Sequence, residues 1–149
     1  MSQTYFGSAL RSGSGTLTDT VDGGFVVLAQ TSTVTTNADG TASSTSVTIP
    51  SGSQIINIFI DQTQNETVGG GTATAINATV GTAAAGTQYV SATDVIGGGR
   101  AALTFTAAQL AAMADVGANT SVYLTVDPNG TIATTQGIYR FTVVYAQKG

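Results

Sequence analysis

From Phe25 onward, apolar side chains recur at every second position in short runs, and glycine, proline and asparagine separate the runs. That period places alternate residues on opposite faces of a β-strand. Phe25 to Val34 reads as the first strong strand, and Asn37-Ala-Asp-Gly40 as the turn that follows it. Thr41 to Ile49 reads as a returning strand, stopped at Pro50, which has no N–H for a ladder. Ser51-Gly52-Ser53 makes the next turn. In the third strand, Gln54 to Gln62, the period predicts Ile56, Ile58 and Ile60 on one face and Ile55, Asn57 and Phe59 on the other.

The same pattern predicts strands over Thr72–Val80, with Thr74, Ile76, Ala78 and Val80 sharing a face, and over Thr87–Ile96. After the glycine run at 97–99 it predicts Arg100–Phe105, with Ala101, Leu103 and Phe105 aligned. Residues 107–115 break the period: Ala107-Ala-Gln-Leu-Ala-Ala-Met-Ala114 is strongly helix-forming, Thr106 suits the N-cap, and Gly117 stops it. Leu110, Met113 and Ala114 are expected to share the docked face. Val122, Leu124 and Val126 then alternate up to the turn Asp127-Pro-Asn-Gly130. The closing strand aligns Tyr139, Phe141, Val143 and Tyr145 opposite the mixed face of Ile138, Arg140, Thr142 and Val144. Short strands between turn signals predict an all-β, jelly-roll-like sandwich with one short helix.

Residues 1–24 depart from this pattern. They are rich in Ser, Thr and Gly and carry sparse apolar side chains, among them Tyr5, Phe6, Leu10, Leu17 and Val21. The segment reads as an extended N-terminal arm ahead of a sandwich domain at 25–149; the competing reading is a frayed terminus.

Composition narrows the chemistry more than it widens it. At 149 residues the chain is long enough for one domain with a real core. Only 8 % of residues are charged, against the usual quarter or so. With four cations and a net charge of −4, nucleic-acid binding is not expected. No apolar run approaches a membrane span, and no secretory signal pattern is visible after Met1. The chain has no His and no Cys, which removes the usual proton shuttle, thiol chemistry and the commonest metal ligands. Lys148 is the only lysine, and the glycine runs at 69–71 and 97–99 lack phosphate-loop spacing. No cofactor is expected and no catalytic residue is assigned.

Two acids close in sequence, Asp61 and Glu66, are the only candidates for a glycosidase-type pair. Glu66 reads as a solvated loop acid. Asp19, Asp22, Asp39, Asp94, Asp115 and Asp127 read as local acceptors for backbone N–H groups, with a loop calcium site as the alternative. Asn65, Asn77, Asn119 and Asn129 open glycosylation sequons of the kind a Thr-rich chain produces by chance.

The run Val47-Thr-Ile-Pro-Ser-Gly-Ser-Gln-Ile-Ile-Asn-Ile-Phe-Ile-Asp61 is followed by Ala78-Thr-Val-Gly81, Thr87-Gln-Tyr-Val90 and Asp94-Val-Ile-Gly97. With Val122-Tyr-Leu-Thr-Val126, Gly137 and Tyr139-Arg-Phe-Thr-Val-Val-Tyr145, this resembles small virion structural proteins of tailed bacteriophages, capsid decoration (cement) proteins in particular. The resemblance spans about residues 25–147 and carries no catalytic signature. It implies a non-enzymatic homotrimer, made in the host cytoplasm. The trimer would sit on the outer surface of the virion, bind the major capsid protein and reinforce the shell. On that basis Tyr5, Phe6, Leu10, Arg11 and Leu17 of the arm are candidate capsid or subunit contacts. A tail or head-fibre component, or a carbohydrate- or receptor-binding sandwich, are the alternatives.

Overall fold

The computed structural model describes residues 25–67, 70–132 and 134–148. The arm contacts Tyr5, Phe6, Leu10, Arg11 and Leu17 lie outside the described residues, as do Asp19 and Asp22. Eight strands and one helix follow in order: β1 Phe25–Thr35, β2 Ser43–Ile49, β3 Ser53–Gln64, β4 Ile76–Gly81, β5 Val90–Asp94, β6 Gly99–Arg100, α1 Ala107–Ala114, β7 Thr120–Pro128 and β8 Ile138–Lys148. They form two four-stranded antiparallel sheets, a front sheet β1-β8-β3-β6 and a back sheet β2-β7-β4-β5. Every connection except β4–β5 crosses between the sheets, and the two orders run in step (1 over 2, 8 over 7, 3 over 4, 6 over 5). That is jelly-roll topology.

The period-2 faces supply the core. Val122, Leu124 and Val126 from β7, Ile76, Ala78 and Val80 from β4, and Tyr139, Phe141 and Val143 from β8 are all fully buried in one cluster. The sandwich thus closes because each sheet turns an alternating apolar set inward, where burial of each large side chain contributes about 1.5–3 kcal/mol. At one side the sheet edges are joined by side chains. Gln30 Nε2 donates to the Thr48 carbonyl at 2.7 Å and to the Tyr145 hydroxyl at 3.1 Å, and the Ser32 and Thr45 hydroxyls bond to each other.

Several expectations need correction. Ile56 does not share a face with Ile58 and Ile60. A β-bulge between Ile55 and Asn57 sets both Ile55 and Ile56 between Tyr145 and Val144, so Ile55 turns inward and Ile56 is left 49 % exposed. The strand foreseen over Thr72–Val80 begins only at Ile76, and Ala73 rather than Thr74 is buried. The one foreseen over Thr87–Ile96 shortens to Val90–Asp94. Arg100–Phe105 keeps its alternation, with Ala101, Leu103 and Phe105 packed on the core, yet only Gly99 and Arg100 join the ladder. Gly97, Gly98 and Gly99 all have positive φ, so the chain leaves the β region before it can extend β6 backwards.

The helix docks through Gln109 and Met113 instead of Leu110, which is 53 % exposed, and Ala114. The reason is polar. Thr106 and Gln109 form a reciprocal capping box, and Gln109 Nε2 continues to the Thr87 carbonyl and the Ser91 hydroxyl. A helix of two turns cannot stand alone in water, so these bonds and Met113 fix which face meets β3. β7 runs on through Asp127 and Pro128, which pair with Asn77 and Ile76, so the turn foreseen at 127–130 shrinks to Asn129 and Gly130, and it touches the turn at 37–40. Gly40 has φ +82°, and a Cβ there would lie 2.7 Å from the Gly130 carbonyl oxygen.

Candidate functional site

Three charged residues of the front sheet gather in one row. Antiparallel register sets Arg140 of β8 and Arg100 of β6 on either side of Asp61 of β3. Directly opposed residues share a face, so all three point to the outer surface. Arg100 grips Asp61 with two bonds, Nε to Oδ1 at 2.7 Å and Nη2 to Oδ2 at 3.2 Å, and Arg140 Nη2 donates to Oδ2 at 3.1 Å. Arg100 also lies over the Phe59 ring, 4.3 Å from its centre. The Asp61 side chain is only 12 % exposed, whereas those of Arg100 and Arg140 are 58 % and 49 % exposed. The Arg100 hydrogen bonds, and secondarily those of Arg140, hold the Asp61 carboxyl below the ordinary aspartate range against the opposing effect of burial.

One residue on, the chain turns inward, and a second polar group forms on the core side of the sheet. Gln62 Nε2 donates to the Tyr139 hydroxyl at 3.1 Å and to Glu66 Oε2, and the Tyr139 hydroxyl donates to the same Oε2 at 3.1 Å. Gly137 makes room for this. A Cβ there would lie 2.5 Å from Glu66 Oε2. Burial first, and the Glu66 charge second, push the Tyr139 hydroxyl far above the ordinary tyrosine range.

Glu66 is therefore not the solvated loop acid that its neighbours suggest; it is half-buried and bonded to two side chains. Asp61 and Glu66 are both committed, and on opposite sides of the front sheet, since Asp61 and Gln62 are consecutive in β3. The geometry of a glycosidase pair does not arise between them. Neither the row nor the buried group was visible from spacing, because both depend on which strands become neighbours. The one available signal was Arg140 itself, a charge within a strand pattern.

The remaining acids mostly do what their turn positions suggest. Asp39 accepts from the Thr41 N–H and hydroxyl, Asp94 from the Ile76 and Ile96 N–H groups, and Asp115 from the Gly117 N–H. Asp127 accepts no hydrogen bond from another described residue. Among the described residues no three His, Cys, Asp or Glu side chains gather as a metal site. Among the described residues no helix is long and apolar enough to cross a membrane.

No family model, curated protein or solved structure matches the chain.

The buried group carries a prediction. Tyr139→Phe leaves Glu66 and Gln62 short of a partner in a place where the Gln62 Oε1 already has none among the described residues. The expected loss is about 1–3 kcal/mol, measured by urea unfolding. Because the folded-state hydroxyl titrates higher than the unfolded one, its contribution is complete below about pH 10 and is lost at more alkaline pH. Tyr139→Phe should accordingly soften the alkaline fall in stability.

Proposed function

We propose that the chain is a non-enzymatic virion structural protein, a capsid decoration protein that assembles as a homotrimer on the major capsid protein lattice. The observation that carries this reading is β1. It is an eleven-residue strand at the edge of the front sheet, in unbroken register with β8 and without a backbone partner on its other side among the described residues. Free-standing proteins blunt such edges with Lys, Pro, bulges or shortness, and Phe25-Val-Val-Leu-Ala-Gln-Thr-Ser-Thr-Val-Thr35 uses none of them. Its outward side chains, Val27, Ala29, Thr31, Thr33 and Thr35, are exposed and uncharged. A surface so poor in charge resists association weakly, which suits a molecule that works with this edge covered.

The jelly roll is compatible with this, as capsid and lectin domains both use it, but that is analogy at the level of fold. Assembly on a repeating lattice needs no pocket. Many modest contacts, multiplied by repetition, are enough.

Electron cryomicroscopy of virions carrying the protein tests the proposal. Trimeric density on the outer capsid surface is expected; density confined to the tail or a head fibre would assign the alternative. The edge is tested by Ala29→Lys. It should change the unfolding free energy by no more than about 0.5 kcal/mol, since the site is exposed, while lowering occupancy on particles several-fold.

A further inference from the structure

The Arg100–Asp61–Arg140 row is more than an internal tie. Two guanidinium groups share one carboxylate, so the row keeps one excess positive charge on a chain whose net charge is −4. A guanidinium offers five N–H donors. Arg100 commits Nε and Nη2, and Arg140 only Nη2. Nη1 of Arg100, and Nε and Nη1 of Arg140, have no acceptor among the described residues, and both side chains are about half exposed. Asp61 holds the two forks in place, and the Phe59 ring backs one of them. Pre-positioned, partly desolvated guanidinium groups are what bidentate carboxylate recognition requires.

The surroundings indicate what accompanies the carboxylate. The same face carries Val27 at 59 % exposure and half-buried Val144 and Phe59, with Ile56 turned out by the bulge. Asp61 is the only acid on the outward positions of the described front-sheet strands. The row's single excess charge, with Lys148 of β8 the one other cation in the described front-sheet strands, is too little for a nucleic-acid backbone, which several cations must neutralise.

We propose that this face docks an acidic segment of a partner protein. One carboxylate is received by the uncommitted N–H groups of Arg100 and Arg140, apolar residues flanking that acid cover Phe59 and Val144, and Val27, six positions along the sheet, is reached only by a longer segment. This goes beyond the assembly reading and holds whether or not the partner is a capsid protein. The following measurement involves neither trimers nor particles, so the two can fail separately.

The full chain, labelled with 13C and 15N, is titrated with N-acetyl-Leu-Glu-Leu-amide while the Nε–Hε signals of Arg100 and Arg140 and the Val144 methyls are followed. Saturable shifts in all three are expected, with binding weakened roughly tenfold or more when glutamine replaces the glutamate. Arg140→Gln should lose the response, with the Val122 and Leu124 methyl signals of the core unmoved to show that the fold is kept. The proposal is overturned if no shift occurs, if the glutamine peptide binds equally well, or if inorganic phosphate reproduces the shifts. It is also overturned if Asp19→Asn with Asp22→Asn moves the arginine signals without any peptide, which would give the site to the chain's own N-terminal segment.

Discussion

Phe141→Ala is expected to cost about 3–5 kcal/mol, a large share of the roughly 5–15 kcal/mol that holds a domain of this kind together. Phe141 is fully buried, and β8 is the strand both β1 and β3 pair with, so the cavity opens in the middle of the front sheet. Its inward neighbours Tyr139 and Val143 are themselves fully buried and fixed by the ladder, so they collapse into the space poorly. Thermal unfolding should fall by about 10–15 °C for a chain of this length. Val144→Ala, one period off on the outward face, provides the control and should cost less than about 1.5 kcal/mol. Similar losses for the two would mean that β8 does not separate core from surface as described.

Asp61→Ala is expected to be the most damaging change outside the apolar core. It leaves two cations side by side with their shared acceptor gone, and it loosens β6, whose two ladder positions are Arg100 against Asp61 and Gly99 against Gln62. Removing one partner of a buried ion pair costs about 3–5 kcal/mol. Here both arginines are half exposed, and water screens what remains, so about 2–3 kcal/mol is the expected loss at neutral pH. The pH dependence distinguishes charge from packing. With its folded-state pKa lowered, Asp61 stabilises fully above the unfolded value near 4, and that contribution disappears as pH falls through the folded-state value. The gap between wild type and Asp61→Asn should therefore be widest at pH 6–7 and narrow towards pH 2. A gap constant across that range would show that the row acts through shape alone.

What could be read from the chain, and what could not, divides along physical lines. Period-2 alternation is local, so β7 and β8 were legible down to the buried side chains, and the turn residues at 37–40 placed their loop, whereas β7 runs through Asp127 and Pro128 because both pair with β4. The bulge at Ile56 was not legible, because the adjacent Ile55 and Ile56 fit either face equally well and only the pairing with Tyr145 and Val144 decides. Of the docked face of α1 only Met113 was legible, because an alanine-rich helix has little apolar asymmetry, and the buried Gln109 is held by bonds to Thr87 and Ser91, 22 and 18 residues away. The Arg100–Asp61–Arg140 row has the same origin. Its members are 39 and 79 residues apart from Asp61, and nothing in their local sequence announces the meeting.

As proposed here, the β framework works by association through the uncharged edge strand of its front sheet. Sedimentation equilibrium of the purified chain over a wide dilution range tests it most directly. The expected mass is three times that of the 14.8 kDa chain, retained on dilution and lowered by Ala29→Lys. A mass of one chain at every concentration, unchanged in that variant, would contradict the account.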